Sequence, residues 1–448
     1  MEKSDILIVG AGPAGVVAAT TAKKYYPNKS ITVVKSVKSG CIPCGIPYMF
    51  SSLKDPSANK LKTDGLEKKG IKVLIDKVIM VNPEEKKVKT SGNKEYGYQK
   101  LILATGSEPI IPPIEGIDKK GVFPIYKDMD YLKNVVSQIK EKKNIVVVGG
   151  GFIGVEFADE ISNLEGKNVN LIEMLPHLLL NSFDQDFSQL VKDKLEKKGV
   201  NVVTGASVTE IAGGEEEVKE VKLSDGRVIQ TDAVILGIGA KPNTLLAKDA
   251  NLDLAKKGGI LVDEYMRTSD SDIFAVGDCS CKRDFFTRKV VPVMLASTAT
   301  AEARVAGANL YKIKVVRENK GTIAVYSTYI DKLVLSSAGL TEENAQKEGF
   351  EIITGQVEGS DKHPATLPGS QKSRVKLVFS KQSGIILGGQ VSCGMACAQL
   401  INLVGVAIQK RMSATELETL QMATHPYLTS SPTKYSIVLA AQEALKRE

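Results

Sequence analysis

The sequence predicts an α/β fold in which two Rossmann-like units are followed by an α+β C-terminal domain. A glycine turn between an apolar strand and a helix occurs twice, at residues 10–15 and 149–154. The chain has 448 residues, which is too long for a single hydrophobic core. Beyond Gly321 the pattern changes to short alternating strands that are typical of an antiparallel sheet.

The first unit begins with the strand–turn–helix pattern of a dinucleotide site. Apolar residues 6–9 lead into the glycine turn, an alanine-rich helix follows, and residues 31–34 form a second strand. The first glycine permits a tight bend, the second lets a pyrophosphate approach the backbone, and the third lets the helix lie close to the strand. The turn residues expected to contact the cofactor are Gly10, Gly12, Pro13, Ala14 and Gly15.

The second unit repeats this pattern. The β-branched strand 144–148 precedes its glycine turn, and the strand 169–172 ends at Glu173. A carboxylate there suits the ribose 2′-hydroxyl of NADH and repels the 2′-phosphate of NADPH, so NADH is the expected nucleotide. The other expected nucleotide contacts are Gly149, Gly151, Phe152, Ile153, Gly154, Glu156 and Gly239.

Two later buried strands end in small turns where a cofactor can approach the backbone. Their turn residues are Ala104, Thr105 and Gly106 after the first strand, and Gly277 and Asp278 after the second. With these motifs in this order, the chain resembles the pyridine nucleotide–disulfide oxidoreductases along nearly its whole length. The resemblance implies two Rossmann-like nucleotide-binding domains, for FAD and NAD, plus an α+β C-terminal dimerisation domain. It also implies that both turns close around FAD, with Asp278 on the ribityl chain.

Lys35 departs from the family pattern. It ends the second strand of the FAD unit, where an acidic residue would bind the adenosine ribose. A basic residue there suits a 2′-phosphate, which would make the first unit an NADP site. The alternative is an exposed lysine beside FAD, and the strand ending in Asp278 favours FAD.

The resemblance divides the chain into three predicted domains. The FAD-binding domain is discontinuous, at 1–111 and 245–318, and the NAD-binding domain occupies 112–244. The dimerisation domain occupies 319–448. Its predicted strands are 323–329, 332–336, 374–379 and 384–390, and its predicted helices are 341–348, 395–411 and 433–447.

The predicted redox centre is Cys44, which lies just after the second strand of the FAD unit. We expect it beside the flavin at the start of a helix, where the helix dipole and free N–H groups stabilise a thiolate and lower the thiol pKa. The alternative is a small buried residue before a turn. The string from Cys44 to Tyr48 resembles a branch that groups coenzyme A disulfide reductases, NADH oxidases and NAD(P)H-dependent persulfide or sulfur reductases. That branch uses a single cysteine at this position.

The other cysteines leave several interpretations open. Cys41 is either a resolving partner for Cys44 or a bystander in the loop. A metal role would require further cysteines to converge on this pair, and no metal site is predicted. We expect Cys279 to be a small buried residue, with no role assigned to Cys281. Packing against an apolar helix is expected for the final pair, Cys393 and Cys397.

Near the C-terminus, His425 and Tyr427 are candidate acid–base residues. The resemblance implies a homodimer in which one of them reaches the partner's flavin and protonates a leaving thiolate. A lone histidine or tyrosine is more often structural.

Composition limits the other partners. The formal net charge is +7, but the lysines are interspersed with glutamates, so nucleic-acid binding is not expected. No apolar run is long enough to span a bilayer. The N-terminus leads straight into a strand without room for a signal peptide, so a cytoplasmic location is expected.

The resemblance implies a small-molecule sulfur substrate, such as coenzyme A persulfide, polysulfide or coenzyme A disulfide. Coenzyme A phosphates could bind Lys23, Lys24, Lys60 and Lys62. One alternative is an NADH oxidase that reduces oxygen or peroxide through a Cys44 sulfenic acid. A lesser alternative is a redox-sensing flavoprotein.

Overall fold

The first sheet is a mostly parallel sheet built largely from the N-terminal part of the chain. The structure is a computed structural model that describes residues 2–214, 217–256, 258–317 and 321–446. The first elements are β1 Glu2–Val9, α1 Pro13–Tyr25, β2 Ile31–Lys35, α2 Asp64–Glu67, β3 Lys72–Ile75, β4 Val78–Asn82, β5 Lys87–Thr90 and β6 Glu95–Leu103. The sheet order is β3-β2-β1-β6-β5-β4, with β1 parallel to both neighbours. Ile6, Leu7 and Ile8 are fully buried, as expected for a central strand covered on both faces.

A second parallel sheet follows. Its elements and the strands around it are β7 Ser107–Pro109, β8 Val122–Pro124, α3 Met129–Glu141, β9 Asn144–Val148, α4 Phe152–Ser162, β10 Asn168–Glu173, α5 Gln185–Lys197, β11 Asn201–Thr204, β12 Val208–Gly213, β13 Val218–Leu223, β14 Val228–Gln230, β15 Ala233–Leu236, β16 Ala240–Pro242 and α6 Leu245–Asp249. The sheet order is β11-β10-β9-β15-β8, and β12, β13 and β14 form a separate antiparallel sheet. β7 pairs with β16, so the chain enters and leaves this region through adjacent strands.

The chain then returns to the first sheet. The returning elements are β17 Ile273–Ala275 and α7 Ala296–Ala308. β17 lies parallel to β6 and adds the seventh strand. The predicted domain boundaries at 111/112 and 244/245 stay predictions, and the boundary at 318/319 lies outside the described residues.

The C-terminal part forms a five-stranded antiparallel sheet with helices packed against it. Its elements are β18 Val325–Ile330, β19 Leu333–Gly339, α8 Glu342–Lys347, β20 Ile352–Ser360, β21 Lys372–Ser380, β22 Ile386–Cys393, α9 Leu400–Lys410, α10 Ala414–Glu418 and α11 Ser436–Leu445. The order is β18-β19-β22-β21-β20. The predicted helix at 395–411 begins with the separate 3₁₀ turn Met395–Cys397. Residue 447, where the last helix was predicted to end, lies outside the described residues.

β20 and α10 are not predicted from the sequence. Two glycines interrupt the apolar alternation of β20, and the structure gives a reason for one of them. A Cβ on Gly355 would lie 1.8 Å from the carbonyl oxygen of Ala440 in α11. The glycine lets the helix approach the strand closely, and it removes the side chain that would have marked the strand in the sequence.

The C-terminal sheet contacts the second parallel unit directly. The Asp184 carboxylate accepts hydrogen bonds from the Gln390 amide and the Lys376 ammonium group, and all three residues are buried. Within the residues that the structure covers, no helix has the length and apolar character needed to cross a membrane.

Candidate functional site

The first glycine turn forms an open cradle at the N-terminus of α1. Gly10 has a φ of 108°, and a Cβ there would lie 2.1 Å from the carbonyl oxygen of Ala104. A Cβ on Gly15 would lie 2.0 Å from the carbonyl oxygen of Gly10, so turn and helix pack tightly. At Gly12 a Cβ would meet nothing within 4 Å. The backbone N–H groups of the helix therefore face open space, which fits the pyrophosphate of FAD.

The Gly277–Asp278 turn closes against this cradle. A Cβ on Gly277 would lie 2.9 Å from the Cβ of Ala14, so the two turns touch. The Gly277 N–H donates to the buried Glu302 carboxylate at 2.9 Å. The Lys282 ammonium, also buried, lies 3.1 Å from the same carboxylate. This buried ion pair fixes the turn that presents Asp278.

Asp278 is held as a charged acceptor. Its carboxylate accepts hydrogen bonds from Ser107 Oγ at 2.7 Å and from Lys127 Nζ at 3.0 Å. Burial acts to raise its pKa, but the Lys127 charge and the two hydrogen bonds outweigh it, so the pKa lies below its usual value. A charged, half-buried carboxylate fits the hydroxyls of a ribityl chain. Ser107 and Lys127 are not predicted as site residues from the sequence, because neither lies in a recognisable motif.

The Thr105–Gly106 turn connects the first unit to the crossing strands. The Thr105 hydroxyl donates to the carbonyl oxygen of Asn243 at 2.7 Å, and the Asn243 N–H donates to the carbonyl oxygen of Gly106 at 2.9 Å. Gly239 lies at the same crossing, where its carbonyl oxygen accepts from the Ile110 N–H at 3.1 Å. These predicted cofactor contacts thus lie together where the second unit joins the first.

The second glycine turn has the same form. Gly149 has a φ of 104°, and a Cβ on Gly151 would meet nothing within 4 Å. The buried Glu173 carboxylate accepts from the Gly150 N–H at 2.5 Å and the Leu175 N–H at 2.7 Å. Its negative charge is thereby fixed beside the open turn, where a dinucleotide fits.

Two predicted nucleotide contacts on α4 have other partners. The Phe152 ring stacks on Tyr326 of β18 at 4.9 Å between centroids. The Glu156 carboxylate accepts a hydrogen bond from the Thr328 hydroxyl at 2.8 Å. Both side chains join α4 to the C-terminal sheet. Ile153 and Gly154 lie in the first turn of α4, next to the glycine turn.

Lys35 lies at the end of β2 and folds back onto its own loop. Its ammonium donates to the Lys38 carbonyl oxygen at 3.1 Å and to the Thr63 hydroxyl at 3.2 Å. Burial and the positive charge of Lys60 lower its pKa. Both readings of Lys35, as a 2′-phosphate ligand or as a lysine beside FAD, stay open.

The expectation of a helix start with a lowered thiol pKa at Cys44 is wrong. Cys44 lies in the 3₁₀ turn Pro43–Gly45, and a second 3₁₀ turn, Pro47–Met49, follows. Such short turns align too few peptide groups to produce the dipole of an α-helix. The surrounding protein atoms partly desolvate the thiol, and this desolvation and the negative charge of Glu156 raise its pKa, against an opposing effect of Lys127.

Cys41 and Cys44 differ in their surroundings. Both thiols are free, but Cys41 is buried whereas Cys44 is exposed. Burial raises the pKa of Cys41 to about 11. Its backbone pairs with Lys60, which places that lysine near the redox turn. Lys23 and Lys24 instead lie in the last turn of the 13-residue α1, roughly 17 Å along the helix from the cradle.

His425 and Tyr427 lie in an exposed C-terminal loop. The Tyr427 N–H donates to His425 Nδ1 at 3.3 Å, and the Tyr427 ring lies 5.6 Å from Lys362 Nζ. A neighbouring cavity of about 800 Å³ is lined by polar residues that include Lys362 and His363. These contacts are with the C-terminal domain, and the role of the loop toward a partner's flavin stays a prediction.

Three of the remaining four cysteines are buried. Cys279 is fully buried, as predicted, and Cys281 is half-buried. The expected packing of Cys393 and Cys397 is confirmed, because both belong to the apolar core under α9. Their two sulfurs lie next to each other in that core. Within the described parts of the chain, no three His, Cys, Asp or Glu side chains are arranged to hold a metal ion.

Two family models match the chain. A model described as pyridine nucleotide-disulphide oxidoreductase matches residues 4–306. A model for the dimerisation domain of these proteins matches residues 325–435. Together they cover both parallel sheets and most of the C-terminal domain.

The chain is similar to curated proteins with two different names. It is 32% identical over 452 residues to an NADH oxidase of Methanocaldococcus jannaschii, covering 98% of each chain. It is also 32% identical over 397 residues to an NAD(P)H coenzyme A polysulfide/persulfide reductase of Pyrococcus horikoshii, covering 87% of each.

Similar solved structures likewise include both a persulfide reductase and an NADH oxidase. The chain matches an NAD-dependent persulfide reductase from A. fulgidus with a TM-score of 0.90 at 30% identity, over 99% of this chain and 83% of that one. It matches a water-forming NADH oxidase from Lactobacillus brevis, bound to NADH, with a TM-score of 0.90 at 28% identity, over 100% and 99% of the two chains.

Proposed function

Because this chain belongs to the pyridine nucleotide–disulphide oxidoreductases, which are FAD-dependent enzymes, we propose that it uses NADH to reduce a sulfur–sulfur bond through Cys44. The observation that carries the proposal is the position of the Cys44 thiol. Gly40 of its loop pairs with Asp128, next to the Lys127 that binds Asp278 at the first cradle. The Phe50 ring, a few residues after Cys44, lies 5.1 Å from Phe157 of α4, the helix that begins at the second cradle. An exposed thiol between two nucleotide cradles suits electron transfer from one to the other and on to a substrate.

The cradles bind and orient the nucleotides. The open N-terminus of α1 at Gly12 holds the FAD pyrophosphate, and the charged Asp278 accepts hydrogen bonds from the ribityl hydroxyls. The open N-terminus of α4 at Gly151 holds the NADH pyrophosphate. The fixed charge of Glu173 repels a 2′-phosphate, which supports NADH over NADPH. Bound flavin supplies the two-electron relay between the nicotinamide and the thiol.

Cys44 supplies the nucleophile. Its thiolate attacks one sulfur of a persulfide, polysulfide or disulfide, so that a new sulfur–sulfur bond forms as the old one breaks and a thiolate leaves. Lys127 stabilises the thiolate form of Cys44, whereas burial and Glu156 oppose it. The leaving thiolate takes its proton from His425 or Tyr427 of a second copy, since the dimerisation domain indicates a homo-oligomer.

Coenzyme A persulfide is the substrate we favour. The basic Lys60 and Lys62 lie in the segment that pairs with Cys41, near the redox turn, and could bind its phosphates. Similarity to the Pyrococcus reductase supports this choice. Similarity to the M. jannaschii NADH oxidase supports the second candidate, reduction of oxygen or peroxide through a Cys44 sulfenic acid.

Anaerobic NADH consumption separates the two candidates. Coenzyme A persulfide, coenzyme A disulfide and polysulfide are compared as acceptors, with Cys44→Ser and Cys41→Ser alongside. Turnover of a sulfur acceptor that is lost in Cys44→Ser supports the reductase, and the rate of Cys41→Ser shows whether a second thiol takes part. NADH loss only after air is admitted rejects the reductase in favour of the oxidase. Slow turnover with every acceptor would favour a redox sensor.

A further inference from the structure

The turn that carries Cys44 has no long helix to hold its shape. It is the 3₁₀ turn Pro43–Gly45, and the similarly short turn Pro47–Met49 follows it. The Gly45 N–H donates to the Ile42 carbonyl oxygen at 3.0 Å and closes the turn. A 3₁₀ turn of this length makes few hydrogen bonds of its own, so its conformation depends on contacts from elsewhere in the chain.

A second segment pairs with the residues just before Cys44. Residues 59–61 lie antiparallel to residues 40–42. The Ile42 N–H donates to the carbonyl oxygen of Asn59 at 2.9 Å. Asn59 is the last residue of the separate 3₁₀ turn Pro56–Asn59. The backbone pairing therefore brings the end of that turn directly against the start of the redox turn.

The Asn59 side chain contacts both ends of the redox turn. It is buried, with 3% of its surface exposed. Its amide Nδ2 donates to the Ile42 carbonyl oxygen at 3.1 Å, so this oxygen accepts one hydrogen bond from inside the turn and one from outside. At the other end, a Cβ on Gly45 would lie 2.0 Å from Asn59 Oδ1. One end of the turn is thus held by a hydrogen bond and the other by close packing.

Gly45 and Asn59 are fitted to each other. The three atoms nearest to a Cβ at position 45 all belong to the Asn59 amide group, at 2.0, 2.8 and 3.2 Å. Gly45 is not one of the glycines with a positive φ, so its backbone conformation suits an alanine. The Asn59 amide, rather than the backbone, therefore excludes a side chain at this position.

We propose that Asn59 is a positioning residue for Cys44: its buried amide holds the turn from Ile42 to Gly45 in the conformation that presents the thiol. Its two contacts fix the residues on either side of Pro43 and Cys44, so the sulfur keeps one place relative to the cradles. The inference rests on the proposed function only in taking Cys44 as the reacting thiol. It extends the redox site to the turn Pro56–Asn59.

The test compares two properties of Asn59→Ala in the purified full-length protein: Cys44 alkylation by iodoacetamide and NADH-driven turnover of a sulfur acceptor. Without the amide the turn opens more often, and water reverses part of the desolvation that raises the thiol pKa. Alkylation of Cys44 at pH 7 should therefore rise roughly two- to tenfold, the factor that corresponds to one hydrogen bond. Turnover should fall at least as much, because the sulfur is no longer held in place.

Two controls separate positioning from a general loss of structure. Mass spectrometry follows each cysteine separately, and alkylation of the fully buried Cys279 should stay at the wild-type rate. An equal rise at Cys279 and Cys44 would overturn the proposal, because a loosened fold exposes both. The matched variant is Asn28→Ala, which changes an exposed asparagine in the turn after α1 and should behave as the wild type.

Gly45→Ala tests the fit from the other side. Its methyl group would displace the turn from Asn59, so Cys44 alkylation should rise as in Asn59→Ala. In the double variant the amide atoms that the methyl group meets are gone, so alkylation should be no faster than in Asn59→Ala alone. Two effects that multiply in the double variant would overturn the proposal. Wild-type alkylation in Gly45→Ala would overturn it even where Asn59→Ala does not fold.

Alkylation requires no sulfur acceptor, so the two proposals fail separately. Faster Cys44 alkylation in Asn59→Ala, in a protein that turns over no sulfur acceptor, supports the role of Asn59 and rejects the proposed function. Cys44-dependent turnover with unchanged alkylation in Asn59→Ala rejects the role of Asn59 alone. Faster alkylation without any loss of that turnover rejects the role of Asn59 as well.

Discussion

Replacing Lys282 by Met should destabilise the first unit strongly. Lys282 Nζ donates to the carbonyl oxygens of Gly277 at 2.6 Å and Ser280 at 2.9 Å, and it lies 3.1 Å from Glu302. Both charged side chains are at most 4% exposed, so water screens them little. Met fills similar space but leaves the Glu302 charge buried without its cation. We expect the free energy of unfolding to fall by about 3–5 kcal/mol.

The assay is urea denaturation followed by circular dichroism, together with the flavin content of the purified protein. The double variant Lys282→Met with Glu302→Gln removes both charges, and it should lose less stability than Lys282→Met alone. Lys289→Met is the control, because Lys289 pairs with Glu348 but is 66% exposed, so its loss should cost within about 1 kcal/mol. A loss of unfolding free energy in Lys282→Met no larger than that in the control, or a double variant less stable than the single one, would refute this prediction.

Three further predictions follow from the same geometry. Gly10→Ala places a methyl group against the carbonyl oxygen of Ala104 at a positive φ, so the purified protein should lose its visible flavin absorbance. The pKa of Glu156 is raised from 4.5 to about 7, so folding favours its neutral carboxyl. The contribution of this group to the free energy of unfolding is complete below about pH 4.5 and is lost as the pH rises through about 7. Urea denaturation of the wild type at a series of pH values should show this loss, up to roughly 3 kcal/mol, whereas Glu156→Gln should not show it. An equal dependence of the unfolding free energy on pH in the two proteins would contradict the prediction. In the native protein iodoacetamide should modify Cys44 before Cys41, whose buried thiol has a pKa of about 11, and unfolding in urea should remove the difference.

The features that depend on the local spacing of residues could be predicted from the sequence. The two glycine turns and the strands leading into them could be recognised, because tight turns and close backbone contacts require particular residues at fixed positions. The strand β20 was missed because Gly355 serves α11, which lies far along the chain. No residue pattern near β20 in the sequence indicates such a contact.

The surroundings of Cys44 could not be obtained in the same way. Helix polarity was expected to lower its pKa, but the charges that act on it come from Lys127, Glu156 and Asp278, each distant in sequence. Their effect depends on how three parts of the chain pack together. Lys127 and Thr328 likewise become visible as site residues only once the fold brings them to Asp278 and Glu156.

The pairing of β7 with β16 has a consequence for how such a protein can be rebuilt. Ser107 lies opposite Pro242 in that pair, so the segment between the strands starts and finishes at one place. A segment anchored in this way is an exchangeable cassette: the corresponding segment of a relative with another nucleotide preference could be spliced in while the first sheet keeps its strand order. The cassette carries Phe152 and Glu156 with it, so a graft that changes the nucleotide would also replace the side chains by which α4 contacts β18.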